Sequence, residues 1–313
     1  MRRLLLLPVG ALAFAAVGCG SDGSSNSDDG RITVAAAFYP LEQIVRNVGG
    51  DAIDVITLVP PGEEAHEYEP TAQQLTALQD ADMVVYLGNE FQPNVQKAID
   101  SLPSSVRRVD LLQHLTLLPV AEQLPGTEGQ PGGETLGDGS DPHVWLDPAN
   151  MQAMTTAVVD ELGTAAPSLV DTLRANGSAY DAALGVLDGE FTAGLASCTS
   201  TILVTTHRAF GYMAAAYDLT QVAIAGISPS EEPSAKSLET VAAFAADNGV
   251  TTIFFEHNLP PDLATTVAEE IGATTAVLDP IESMSTDQLD AGEDYLSVMR
   301  SNLAVLRPAL GCS

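Results

Sequence analysis

The chain has 313 residues, 45% hydrophobic and 17% charged, enough apolar material for one large domain or two ordinary ones. Twelve Lys and Arg against 42 Asp and Glu leave a formal net charge of −30. That excess of acid excludes a nucleic-acid backbone as partner and a basic face for anionic lipid, since both need clustered cations.

The first element is a leader. Arg2 and Arg3 precede an apolar stretch, Leu4 to Val17, which suits a signal peptide and is shorter than the ~20 residues that span a bilayer. It closes on Ala16-Val17-Gly18-Cys19, small residues directly before a cysteine, and this resembles a bacterial lipobox. On that reading residues 1–18 are removed and Cys19 carries lipid. The protein is then exported and anchored to the outer face of the cytoplasmic membrane. The alternative is an ordinary secretory signal with a chance cysteine. Residues 19–30, rich in Gly, Ser and Asp, read as a flexible tether.

From Arg31 onward short apolar strands alternate with helical patterns, which predicts parallel α/β units. Ile32–Ala36, Ile53–Val59 and Met83–Leu87 read as strands. Thr71 to Ala81 reads as a helix opened by a capping box, Thr71-x-x-Gln74. The second half repeats the order, with strands at Thr201–Thr205, Thr220–Ile224 and Thr252–Phe255 and a helix at Phe210–Tyr217. Glu232-Pro233-Ser234-Ala235 echoes Glu69-Pro70-Thr71-Ala72, as expected of a distant internal duplication.

Between the halves, Leu173, Tyr180, Leu184, Leu187, Phe191 and Leu195 follow spacings of 7, 4, 3, 4 and 4, one apolar stripe on a helix. The expected fold class is therefore α/β: two similar lobes, each a parallel β-sheet flanked by helices, joined by one long linking helix. The boundaries are 31–168 for the first lobe, 169–197 for the linking helix and 198–313 for the second lobe. Residues 119–141 form a long acidic Gly/Pro-rich loop without periodicity, of a length that is usually functional or disordered. With Cys19 committed to lipid, Cys198 and Cys312 remain. An even pair in an oxidising compartment invites a disulfide, with two free thiols as the alternative.

Of the five histidines, His66, His143 and His207 lie at or just beyond strand ends, where open parallel sheets bind ligands. Each alone reads as an ordinary surface or core residue; three in such positions across two lobes point to convergence on one site. A fourth partner is a carboxylate, and Asp279 follows the apolar run Ala276-Val277-Leu278. Three imidazoles and one carboxylate form a closed tetrahedral set suited to Zn2+. Glu256, after the strand ending at Phe255, is a candidate to orient a His ring, or else a solvated loop acid. His114 reads as structural, and His257 as an auxiliary site or an exposed residue.

Four segments carry a resemblance: Pro61-Gly62…His66-x-Tyr68-Glu69-Pro70, Asp141-Pro142-His143-Val144-Trp145-Leu146-Asp147-Pro148, Thr206-His207-x-x-Phe210-x-Tyr212 and Leu278-Asp279-Pro280. Together they resemble the metal-binding solute receptors of bacterial zinc/manganese ABC transporters, specifically the zinc-uptake branch. The resemblance implies that His66, His143, His207 and Asp279 bind the metal in a cleft between the lobes. It also implies Zn2+ as the transported ligand, an ABC permease with its ATPase as partners, and a monomer with no enzymatic activity. Ala65 stands where some relatives have an acid, which favours Asp279 as fourth ligand. The 119–141 loop has no histidine, unlike the His-rich loops of many zinc receptors. A third imidazole at His207 favours Zn2+ over Mn2+, for which carboxylates are better suited. The alternatives are a manganese or iron receptor of the same family and an exported zinc-dependent hydrolase. No His-Glu-x-x-His helix or Gly-x-Ser-x-Gly elbow supports the last.

Overall fold

A computed structural model describes residues 31–120, 124, 137–230, 232–257 and 261–313. The expected leader, the lipidated Cys19, the tether and most of the 119–141 loop lie outside the described residues. In chain order the first half comprises β1 (Ile32–Ala36), α1 (Tyr39–Gly49), β2 (Ile53–Thr57), α2 (Ala72–Asp80), β3 (Met83–Tyr86), α3 (Pro93–Asp100), β4 (Arg107–Asp110) and α4 (Pro148–Ala165). The long α5 (Val170–Leu195) follows. The second half comprises β5 (Ile202–Thr205), α6 (Gly211–Ala216), β6 (Thr220–Ala223), α7 (Ala235–Asp247), β7 (Thr252–Phe255), α8 (Asp262–Ile271), β8 (Thr274–Val277), α9 (Thr286–Asp290) and α10 (Tyr295–Ala309).

The two sheets have one topology. Their strand orders are β2-β1-β3-β4 and β6-β5-β7-β8, with every pair parallel. Equal order in equal sequence makes the internal duplication visible. The caps agree with it: the Thr71 hydroxyl accepts from Gln74 N–H at the start of α2, and the Ser234 hydroxyl accepts from Ser237 N–H at the start of α7. Each cap satisfies one of the donors that a helix start leaves unpaired. The expected strand Ile53–Val59 stops at Thr57, but Leu58 still donates to Ala36 O at 3.0 Å before the chain turns at Pro60.

The stripe that predicts the linking helix is the buried face of α5: Leu173, Tyr180, Leu184, Leu187, Phe191 and Leu195, joined by Gly177. Gly177 is needed there. A Cβ at this position would collide with the Val159 side chain on α4, so a small residue lets the two helices approach. Helix α5 packs on α1 and α4 of the first half and on α10 of the second. Cys198, just beyond its end, is joined by a disulfide to Cys312.

One hydrophobic core runs from Val34 and Leu41 through Trp145 and Leu184 to Phe254, Leu278 and Leu306, thus through both halves. A smaller core lies under α7 and α8, built on Val204, Ile224, Val241, Ile253 and Val267. Side chains on both sheets therefore share one packed interior. No helix among the described residues is long and apolar enough to cross a membrane.

Candidate metal centre

Each half sends two side chains to the gap between the sheets. His66 lies on the loop after β2, which is shaped from within. The Glu64 carboxylate accepts the N–H groups of His66 at 2.7 Å and Glu67 at 2.9 Å, and buried Gln92 donates to Ala65 O at 2.9 Å. His143 precedes the short 3-10 turn Val144–Leu146, and its ring sits against Trp145 and Phe91. His207 follows β5, where the Thr205 hydroxyl closes back on its carbonyl at 2.7 Å. Glu282 follows β8, which ends at Val277. Parallel strands thus aim the segments of His66, His207 and Glu282 at one point, as open α/β sheets do; His143, expected at a strand end, instead stands far beyond the end of β4 at Asp110 and is placed by the turn at Val144.

The four side chains form the one His/Cys/Asp/Glu cluster of metal-binding dimensions among the described residues, their donor atoms all within 4.8 Å of one another. The Nε2 atoms of His66, His143 and His207 lie 3.4, 3.4 and 3.2 Å from Glu282 Oε1. The three rings and Glu282 are all buried. Yet His143 Nε2 and His207 Nε2 make no aligned hydrogen bond. Buried imidazole nitrogens are normally paired. Together with Glu282 Oε1 these two converge on a common centre.

The outer nitrogens are held. His143 Nδ1 meets Asp141 Oδ1 at 2.7 Å, and the same oxygen accepts the His143 backbone N–H at 2.9 Å. His207 Nδ1 contacts Glu256 Oε1, which also accepts from the Thr206 hydroxyl at 2.7 Å. A carboxylate on Nδ1 leaves the Nε2 lone pair free for a cation. Burial would lower both imidazoles, but the neighbouring carboxylates prevail: Asp141 and Glu282 raise His143, and Glu256 pushes His207 up to about 10. For Glu282 burial works upward, and the three surrounding histidines nonetheless hold its carboxyl well below the usual range.

Asp279, expected from the sequence as the fourth ligand, is not among the four converging side chains. Both Asp279 oxygens are turned to other partners: Oδ1 accepts Ile281 N–H at 2.8 Å and Oδ2 accepts Gln288 Nε2 at 3.1 Å. Glu282, three residues on, occupies the fourth corner. The backbone between them explains the exchange. Ile281 has φ +58°, a left-handed conformation that is rare for a β-branched residue and costs on the order of 1–3 kcal/mol. That turn brings Glu282 back over the strand ends, and nothing in the residue Ile announces it. Asp141 also orients the His143 ring, a role that its place in the sequence does not announce. His257 is exposed on the rim of a recess of about 60 Å3 lined also by Glu64, Glu256 and Asp279. His114 is exposed and apart from the cluster.

Residues 34–309 match the ZnuA family, described as the periplasmic component A of zinc-uptake complexes. The chain belongs to that family. It is 35% identical over 308 residues to the zinc-binding lipoprotein AdcA of Streptococcus pneumoniae, covering 98% of this chain and 61% of that longer protein. It thus spans less than two thirds of the first curated relatives it matches. With the high-affinity zinc uptake system protein ZnuA of Bacillus subtilis the identity is 31% over 316 residues, 97% of each chain. Among solved structures, the Zn(II)-bound ZnuA-like domain of S. pneumoniae AdcA superposes with TM-score 0.75 at 35% identity, covering 90% of this chain and 99% of that one. The two-lobe fold is therefore that of the family.

Proposed function

We propose that this protein is an extracytoplasmic receptor that captures Zn2+ between its lobes and delivers it to an ABC permease driven by its ATPase. One observation carries the reading. Zinc binds N and O ligands at about 2.0–2.1 Å, and a tetrahedron of such bonds has edges of about 3.3–3.4 Å. The three Nε2-to-Oε1 separations, 3.2–3.4 Å, match that edge. His66, His143, His207 and Glu282 are the proposed ligands, and the ion is their cargo. The zinc in the names of its relatives supports the same choice of metal.

Four protein donors complete a tetrahedral sphere and leave no corner for a reacting water, so the site is read as that of a receptor and not of an enzyme. Glu256, the one acid that a hydrolase reading would use as base, is engaged with His207 and Thr206. The proposal keeps Cys19 as lipid anchor, in line with the relatives named lipoproteins, and treats the receptor as a monomer of lobes 31–168 and 198–313 joined through 169–197.

Zinc titration of the demetallated chain with Mn2+ as competitor tests the reading. One tightly held Zn2+ per chain that resists Mn2+, and is lost in His207→Ala, is the expected result. Even competition by Mn2+ would assign the chain to manganese uptake.

A further inference from the structure

Asp279 is buried, acidic and next to the proposed site, yet both its oxygens are turned away from the four donors. Its partners share one purpose. Oδ1 takes the N–H of Ile281, an Asx-type closure two residues on that fixes the turn. Oδ2 takes the amide of Gln288, whose own oxygen accepts the N–H and hydroxyl of Ser285 at the start of α9. From α10, Asn302 brackets the Asp279 backbone, accepting its N–H at 2.9 Å and donating to its carbonyl at 2.7 Å.

The next peptide is held from the other lobe. Trp145, two residues after His143, donates its indole N–H to Pro280 O at 2.6 Å, and Tyr295 O–H donates to Trp145 O at 2.6 Å. Beyond the turn, Gly62 N–H donates to Met284 O at 2.9 Å, tying in the loop that carries His66. Residues 279–284 are thus fastened to α9, to α10, and to the segments bearing His66 and His143. Within this frame stands the left-handed Ile281, its side chain wholly buried. Such a conformation persists where the surroundings over-determine it, and it turns Glu282 onto the imidazoles.

We propose that Asp279 is the positioning residue of the fourth ligand. By closing the turn at Ile281 it holds Glu282 at tetrahedral spacing from the three imidazoles, and so favours four-coordinate Zn2+ over Mn2+. Manganese prefers more oxygen donors and a larger coordination number, which a freely moving carboxylate supplies more readily than a fixed one. The inference rests on the ligand set proposed above and deepens it: selectivity resides in a turn that touches no metal.

The test uses the full chain with Co2+ as a spectroscopic probe of four-coordination, Zn2+ affinity by chelator competition, and Mn2+ as competitor. Asp279→Asn keeps an oxygen for the Ile281 N–H but sets an amide against the Gln288 donor, and is expected to retain the intense tetrahedral Co2+ band and to lose no more zinc affinity than Gln288→Ala. Asp279→Ala is expected to weaken zinc by about 10–100-fold, as loss of an outer partner of a metal ligand typically does. It should also dim the Co2+ band and let Mn2+ compete better. Gln288→Ala, which leaves Asp279 in place, is expected to shift the same readouts less, and carries the test should Asp279→Ala not fold. If Asp279→Asn loses as much as Asp279→Ala while Gln288→Ala stays near wild type, the charge itself is needed, Asp279 is a ligand, and the proposal is overturned. Wild-type behaviour of Asp279→Ala overturns it as well. An unchanged Zn2+ affinity and Co2+ band in Glu282→Gln would overturn it from beneath, by removing Glu282 from the ligand set; that outcome is separate from any effect at Asp279.

Discussion

Asp141 Oδ1 receives two hydrogens from one residue: the backbone N–H of His143 at 2.9 Å and its ring Nδ1–H at 2.7 Å. This fixes the ring and its tautomer together and leaves Nε2 to face the three other donors. Gly211 of the opposite lobe makes room for it, since a Cβ there would strike Asp141 Oδ2.

Asp141→Ala is therefore expected to lower zinc affinity by about 10–100-fold without changing the number of ions bound. Asp141→Asn, which keeps an acceptor but loses the charge, should fall between. Chelator competition measures both, and wild-type affinity in Asp141→Ala would show that Trp145 and Phe91 alone hold the ring.

Acid should oppose loading. His207 carries a pKa raised to about 10 from 6.5, because burial, which lowers it, is outweighed by the carboxylates of Glu256 and Glu282 together. A raised imidazole adds stability to the metal-free fold that is fully present below 6.5 and is lost as pH climbs through about 10. Zinc must displace that proton, so its binding gains what the metal-free fold loses as pH rises. The increase in Tm on zinc loading, at fixed free zinc, is expected to grow from about pH 6 to about pH 9. A flat profile would mean that the rings are already neutral.

The bond between Cys198 and Cys312 closes a span of 114 residues and pins the end of α10. Replacing both cysteines with serine should lower unfolding stability by about 2–5 kcal/mol while leaving zinc affinity close to wild type. Denaturant unfolding and zinc titration of the same preparation separate the two effects.

Trp145→Phe retains an aromatic ring in the cluster with Phe38 and Phe91 but removes the indole donor to Pro280 O. A carbonyl left unpaired in a buried position costs about 1–3 kcal/mol. Faster zinc release in stopped-flow experiments is expected alongside that loss, because the same bond ties the turn before Glu282 to the segment bearing His143.

Much of this was readable from residue order, since it rests on local rules. Apolar runs marked the central strands, the heptad-like spacing from Leu173 to Leu195 marked α5, and Thr71-x-x-Gln74 marked a real capping box. The histidines were conspicuous because each follows a strand or a turn motif. The proposed fourth corner is Glu282 and not Asp279 for a physical reason. Two acids, Asp279 and Glu282, follow β8, and the choice between them depends on a backbone dihedral at Ile281. Glycine or asparagine would have signalled a left-handed turn; a β-branched residue held there by tertiary contacts from Trp145 and Asn302 does not. The role of Asp141 was hidden likewise, since a carboxylate two positions before a histidine is a loop acid until the ring is seen to lean on it.

The four donors divide evenly: His66 and His143 come from the first half, His207 and Glu282 from the second. Neither half can hold the ion alone with more than two bonds, so a slight parting of the halves breaks the cage into two weak pincers. On the proposed function, the residence time of the cargo is then a mechanical quantity. It is set by the shared interior that clamps the halves together, and a partner that prised them apart would empty the site without supplying any competing chemistry.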